Sequence, residues 1–342
     1  MTNLFGPHQN LIRGYQTPLD DELQEIVQAA AGNGAEELHG MIAYQLGWEG
    51  PGDLTRAQGK RIRPMLVLLG AQAAGGDWRA ALPAAAAVEL LHNFSLVHDD
   101  IEDQSPTRRG RPALWKRWGI AQAINSGDAL FSLSSLALSR LEEELPGETI
   151  LRAVRRFHQT CLRLTQGQHL DIAFEDRRDI TLKQYWRMVG GKTAALLALS
   201  VELGAICAGS DTEIQEYYRN FGHYLGLAFQ AQDDILGIWG EADQLGKSTS
   251  SDLTSGKKTL PVLFALGQDQ DFQSHWSGTG IQADEVPQIA LHLEQIGARA
   301  YAQSVSDRLT GMALEQLEKA HPQGDAGQAL RTLTAKLLNR QS

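Results

Sequence analysis

The chain has 342 residues, 42% of them hydrophobic and 21% charged, with 41 acidic against 31 basic side chains and a formal net charge of −10. That length allows one large or two ordinary domains with a sizeable core, and the acidic balance argues against general binding to nucleic acid or anionic membranes. Two cysteines, Cys161 and Cys207, lie in apolar helical contexts, a pattern of neither a disulfide framework nor a zinc site, which suits a reducing, cytoplasmic setting.

The N-terminal stretch "MTNLFGPHQNLIRGY" lacks the basic and apolar blocks of a secretory signal. Beyond it, Ala- and Leu-rich segments with apolar residues every three or four positions recur to the end, and stretches alternating β-branched and polar residues are almost absent. The predicted class is all-α. "GKRIRP" (59–64) places Lys60, Arg61 and Arg63 at a predicted helix start, where backbone N–H groups also attract anions. The next helix is predicted from about Pro83, a residue suited to a first turn, to Gln104. On it Asp99 and Asp103 stack one turn apart with Asp100 beside them, and His92 and Ser95 fall near the same stripe. Such a cluster is either a set of solvated acids ending a helix or a set of hard oxygen ligands for Mg2+, which commonly bridges one or two carboxylates to substrate phosphates.

"TRRGRP" (107–112) then brings Arg108, Arg109 and Arg111 close behind those acids. Punctuation rich in Gly, Pro, Ser or Asp falls at 46–53, 75–77, 105–112, 145–148 and about 267–287. The most apolar runs are interrupted by Glu89, Lys192 and Glu202, so no bilayer-spanning segment is expected. Ser210 with Glu213 forms a capping-box pattern opening the helix that leads to "QAQDDILG" (230–237). There Gln230, Asp233, Asp234 and position 237 follow an i, i+3, i+4, i+7 pattern in surroundings too apolar for ordinary surface. Facing helices of a bundle build metal sites from inward side chains of this kind. Further bases are Lys192 in "GGKTAALL", Lys247 in "LGKS", and Lys257 and Lys258 in "SGKKTLP". Any one of these basic motifs reads as surface charge; together, beside two acidic clusters, they suggest a diphosphate pocket. With no linker, repeat or low-complexity tract, one domain over residues 1–342 is preferred, its core at about 15–340.

"GKRIRP", "HNFSLVHDDIED", "TRRGRP", "GGKTAAL", "FQAQDDILG" and "GKSTSSDLTSGKKTLP" stand in the order and approximate spacing of the all-trans isoprenyl diphosphate synthases, and the sequence resembles that family over most of its length. The resemblance implies a helical bundle of about ten or more helices around a deep central cavity. It also implies a homodimer, with the acidic clusters opposed at the cavity mouth. By the same resemblance Asp99, Asp103 and Asp233 look like Mg2+ ligands, with three ions bound beside substrate, and Asp100 and Asp234 support them. Arg108, Lys192 and Lys247, with Gln230 and Lys257 nearby, look like contacts to the allylic diphosphate. Lys60, Arg63, His92 and Arg109 look like the isopentenyl diphosphate site; Gln168 and Thr193 would line the reacting region, with Asp171 in support. The implied reaction ionises the allylic substrate and needs no protein nucleophile; the sequence has no GxSxG elbow, and neither cysteine has an evident base partner.

The pattern departs from the family at Gly237, the fifth position of the second acidic motif, which is commonly Asp. Gly within a helix costs about 1 kcal/mol against Ala, so it calls for a packing reason. Product length in the family depends on a bulky residue five before the first Asp, here Phe94, followed by the small Ser95. A growing chain advances roughly one helical turn, about 5 Å, per isoprene unit, but an ideal helix puts Phe94 about 140° from Asp99, so that floor rests on resemblance rather than geometry. Phe94 with Ser95 looks most like the geranylgeranyl-forming (C20) members, with farnesyl (C15) as the alternative. A class I terpene cyclase would share the fold without needing Lys60, Arg63 and Arg109, and a non-catalytic partner subunit would be expected to lack an intact acidic cluster.

Overall fold

The computed structural model describes residues 5–28, 34–52, 54–175, 177, 179–240, 251–276 and 281–338. Helices account for almost all of them, as the apolar periodicity predicts, and among the described residues the only β-structure is an antiparallel pair, Thr107–Arg108 with Arg111–Pro112. The chain forms two compact units. One comprises Met1–Phe157, Leu199–Tyr218 and Ala320–Thr332; the other comprises His158–Ala198, Arg219–Lys319 and Leu333–Ser342.

In the first unit the central element is helix Leu82–Glu102, with Pro83 in its first turn. Pro lacks the N–H that would be unbonded there in any case, and its fixed φ suits the helix start. Ala84 to Ala87 are fully buried, so small side chains let neighbours approach closely; the helix packs chiefly on helix Ile120–Ser139 and on helix Ile62–Ala73. It ends with Asp103 as C-cap, whose N–H donates to Asp99 O (2.9 Å), and with Gln104 in the left-handed region at φ 51°. The i, i+4 relation of the two aspartates therefore survives although the regular helix stops short of Gln104.

In the second unit, helix Leu182–Val189 opens with a capping box in which Thr181 Oγ1 accepts from Gln184 N–H and Gln184 Oε1 accepts from Thr181 N–H at 2.9 Å. It runs into a single π-helical turn, Gly190–Ala194, before helix Ala195–Cys207. A separate core gathers Ile238, Leu253, Val262, Phe272, Trp276 and Leu293. The polar stretch at 267–287 is not all loop: Asp269 accepts from Phe272 N–H at 2.6 Å and caps helix Gln270–His275. The start of helix Thr212–Trp239 also differs from expectation. Asp211, not Ser210, accepts from the Ile214 N–H at 2.8 Å, because Asp211 stands immediately before the helix and Ser210 one residue too far out.

Among the described residues two helical stretches, Trp78–Glu102 and Leu182–Cys207, are long and apolar enough to cross a membrane by length and composition alone; 67% and 78% of their apolar windows are buried inside the protein, which accounts for their composition. The charges that interrupt these runs have partners. Lys192 donates to Asp171, and buried Glu202 receives a two-point pair from Arg156, Nε to Oε1 at 2.8 Å and Nη2 to Oε2 at 3.0 Å. Breaking such a pair strands a charge in a poorly solvated place, whereas replacing both members with apolar residues does not. Glu202→Ala should therefore cost about 2–4 kcal/mol in urea unfolding, and the double variant Arg156→Met/Glu202→Met clearly less; additive losses would refute the pairing.

Candidate active site

The first acidic cluster ends a helix, where the peptide dipoles already present partial negative charge, so each carboxylate there is disfavoured by a few tenths of a kcal/mol to about 1 kcal/mol unless a cation compensates. The sequence supplies that cation nine residues on. Thr107–Arg108 and Arg111–Pro112 form a hairpin whose central residues, Arg109 and Gly110, have φ values of 53° and 78°, the primed-turn geometry that tight hairpins need. This turn carries Arg108 back over the helix end. Its Nε donates to Asp100 Oδ1 at 2.8 Å, and its Nη2 reaches Asp100 Oδ1 at 2.5 Å and Asp99 Oδ2 at 3.2 Å. Burial favours the neutral guanidine, but the pairing with Asp100 and Asp99 holds Arg108 above its ordinary range. Asp100 is buried and Asp99 half-buried, so Asp100 is the structural anchor and Asp99 the outward-facing acid.

Behind this pair, still in the first unit, lies a set of bases around one buried acid. Glu89 is almost fully buried about three helical turns before Asp100; burial raises its carboxyl, and Arg61, Arg109, Asn93 and Arg63 draw it back. Asn93 Nδ2 donates to Glu89 Oε1 at 3.0 Å. Arg63 Nη1 donates to His92 Nε2 at 3.2 Å. Burial and the neighbouring cations Arg63, Arg109 and Arg108 hold His92 well below the usual imidazole range, so it is neutral near pH 7. Arg109 Nη1 donates to Ala57 O at 2.8 Å, which ties its loop to the segment before "GKRIRP". Lys60 is exposed. The six bases of the two motifs thus divide by task. Arg61, at φ 44°, is buried against Asp20, and Arg111 donates to Glu49 O (2.7 Å) and Tyr44 O (2.6 Å) over the Tyr44 ring; both are spent on holding loops.

Phe94 and Ser95 lie on the same helix. The Phe94 ring is half-buried between His98 (centroids 4.8 Å apart) and Phe131 of helix Ile120–Ser139 (5.2 Å), so it is held by aromatic neighbours rather than projecting alone. Ser95 Oγ is turned back to the His92 carbonyl at 2.7 Å. Phe131 carried no motif signal beyond its place in an apolar helical run.

The second cluster belongs to the second unit, where burial matters more than a helix end. Asp234 accepts from Tyr185 OH (2.6 Å) and Leu260 N–H (2.7 Å) at Oδ2, and from Gln230 Nε2 (2.9 Å) at Oδ1. Burial still pushes its carboxyl up to about 6. Leu260 opens helix Leu260–Gln268, so Asp234 compensates that helix N-terminus and holds the "SGKKTLP" loop to the acidic helix. Thr193 Oγ1 donates to Gln230 Oε1 at 2.9 Å, completing a chain from Thr193 through Gln230 to Asp234. Asp233 is half-buried beside it.

Lys192 Nζ donates to Asp171 Oδ2 at 2.5 Å, and Gln168 lies half-buried on the same helix, Gly147–Glu175, three residues before Asp171. What turns Lys192 and Thr193 to these positions is the π-helical turn, a feature common at functional sites. It is pressed against the other helix at Gly167, where a Cβ would stand 2.1 Å from Lys192 N, so no larger residue fits. Lys257 is exposed and Lys258 donates to Glu175 O. Lys247 lies outside the described residues. Sequence reasoning missed Tyr185: its only signal is a place in a short amphipathic helix, and the bond to Asp234 spans 49 residues of chain.

Two kinds of likeness bear on these clusters. The polyprenyl synthetase family model matches residues 52–289, which takes in every basic and acidic motif named above. The chain is 38% identical over 312 residues to a (2E,6E)-farnesyl diphosphate synthase of Mycobacterium tuberculosis, covering 88% of this chain and 86% of that one. It is 39% identical over 292 residues to a geranylgeranyl diphosphate synthase of the same organism, covering 83% of each. Its fold matches the crystal structure of a geranylgeranyl pyrophosphate synthetase from Pyrococcus horikoshii with a TM-score of 0.86 at 31% identity, over 99% of this chain and 98% of the other. By the family match and by relatives that align along most of both chains, this protein belongs to the polyprenyl synthetase family.

Proposed function

We propose that the protein is a trans-prenyltransferase that condenses isopentenyl diphosphate head to tail with an allylic diphosphate (dimethylallyl, geranyl or farnesyl), with geranylgeranyl diphosphate (C20) as product. The observation that carries the reading is the guanidinium of Arg108 locked onto Asp99 and Asp100: an acidic helix end with a phosphate-binding base built into it. The family match crosses both units, which supports reading residues 1–342 as one synthase domain.

The donor chemistry fits Mg2+. Asp99 and Asp103, one turn apart, and Asp233 offer hard carboxylate oxygens, and among the described residues no three acidic, His or Cys side chains converge into an all-protein cage. Mg2+ commonly takes one or two carboxylates and completes its shell with water and substrate phosphate. Asp99 and Asp103 in the first unit, and Asp233 in the second, would each serve as Mg2+ ligands, with three ions present beside substrate; bound there, the metal would supply charge stabilisation to the leaving diphosphate.

Arg108, Lys192, Lys257 and Lys247, with Gln230, bind the allylic diphosphate and take up negative charge as its C–O bond breaks, the bonding pair leaving with the diphosphate. Lys60, Arg63, Arg109 and neutral His92 hold isopentenyl diphosphate so that its double bond meets the allylic cation; a new C–C bond forms and a proton is lost to the departed diphosphate. Asp100 and Asp234 orient Arg108 and the "SGKKTLP" loop, and Asp171 steers Lys192. Gln168 and Thr193 line the reacting region. Both cysteine thiols are pushed up to about 12 by burial, which leaves them poor nucleophiles and consistent with a mechanism that uses none.

The farnesyl (C15) reading is favoured by one observation, the 38% identical relative named a farnesyl diphosphate synthase. A homodimer is supported by exposed Ile120, Ile124 and Leu136 on helix Ile120–Ser139 and Leu151, Leu162 and Ile172 on helix Gly147–Glu175; light scattering should give twice the 37.4 kDa chain mass, and a monomer would reject it. A cytoplasmic location is proposed from the two unpaired cysteines.

Purified protein given Mg2+, labelled isopentenyl diphosphate and each short allylic primer should form a C20 product. Asp103→Asn should lower kcat/KM by about 100-fold or more; unimpaired turnover would remove the acidic helix end from the mechanism. Phe94→Ala should shift the product ladder to longer chains, because it empties the space between His98 and Phe131; an unchanged chain length by chromatography would reject Phe94 as the floor.

A further inference from the structure

Helix Thr212–Trp239 carries Asp233 on a face whose next position, one turn on, is Gly237. In the first acidic cluster the same step leads from one carboxylate, Asp99, to another, Asp103. At Gly237 the step leads to no side chain. The place such a side chain would start from is instead taken by the carboxylate of Asp252, from the short helix Ser251–Thr254: a Cβ built on Gly237 would stand 2.0 Å from Asp252 Oδ2 and 2.9 Å from its Cγ.

The backbone that carries Asp252 is fixed in place. Its carbonyl accepts from Lys257 N–H at 2.9 Å and from Ser255 Oγ at 3.3 Å, which closes the turn leading to the lysines. Its neighbour Leu253 is fully buried in the core that also contains Ile238, the residue after Gly237.

We propose that Asp252 is the second carboxylate of this acidic face, delivered from a neighbouring helix rather than from the helix itself, and that Gly237 is its steric complement. The glycine is then the residue that admits the Asp252 carboxylate, not a lost ligand. This assignment rests on the prenyltransferase reading, within which Asp252 works with Asp233 toward Mg2+ and diphosphate as a positioning residue.

Calorimetric titration of Mg2+ into the protein saturated with inorganic pyrophosphate tests it without turnover. Asp252→Asn, which keeps the shape and removes the charge, should weaken Mg2+ binding about 10- to 100-fold. Gly237→Asp alone should weaken it as well, because the new side chain displaces Asp252. The double variant Gly237→Asp/Asp252→Ala should regain most of the affinity: the Asp252 Cβ lies 3.6 Å from a Cβ at 237, an ordinary contact, so the relocated carboxylate has room. Unchanged binding in Asp252→Asn, or a double variant no better than Gly237→Asp, would overturn the inference while product formation by the wild-type chain left the prenyltransferase reading standing. A wild-type chain that forms no prenyl product with Mg2+ would overturn both.

Discussion

A helix that ends in aspartates has placed negative charge where its own dipole is already negative, and helix Leu82–Glu102 does so with Asp99, Asp100 and Asp103. Nothing in the local sequence relieves this; the relief is Arg108, carried back by a hairpin that puts Arg109 at positive φ. The arrangement is built for cations. One guanidinium satisfies Asp100 and part of Asp99; on the proposed reading the rest of the acidic end is where a divalent ion and a diphosphate would stabilise each other.

The second cluster reaches a similar chemistry by another route. Asp234 is too deeply buried to face a ligand, and its three hydrogen bonds join the acidic helix to Tyr185 and to the start of helix Leu260–Gln268, while Gln230 extends the chain to Thr193. Asp234 organises the loops around it; Asp233, half-buried beside it, is on the proposed reading the acid that acts. The same division runs through the bases, with Arg61 and Arg111 anchoring loops so that Arg63, Arg108 and Arg109 are held where they are. A reaction driven by electrostatics needs charges that do not have to reorganise as the bond breaks, and on the proposed reading these anchors would provide that.

Much of this was legible in the sequence because it is local. The all-α class, the i, i+4 spacing of Asp99 and Asp103, the Pro83 start and the grouping of bases follow from periodicity and residue type within a single element. What was not legible depends on contacts across long stretches of chain: Tyr185 on Asp234, Phe131 on Phe94, Asp252 in the space of Gly237. The π-helical turn at Gly190–Ala194 was hidden for a different reason. An extra residue in a helix leaves the apolar pattern nearly intact, and only Gly191, which packs against Gly167, hints at it. The capping residue moved from Ser210 to Asp211 because two good caps stood side by side and only the helix start could choose between them.

On the proposed reading the acidic faces bind the metal ions that act on a leaving diphosphate. The most direct test is a crystal structure of the protein with Mg2+ and a non-ionising thiolodiphosphate analogue of the allylic substrate. Mg2+ within about 2.1 Å of carboxylate oxygens of Asp99, Asp103 and Asp233, bridged to the analogue's phosphates with Arg108 and Lys192 in contact, is the predicted result. Phosphates bound elsewhere, with no metal at any of the three aspartates, would contradict it.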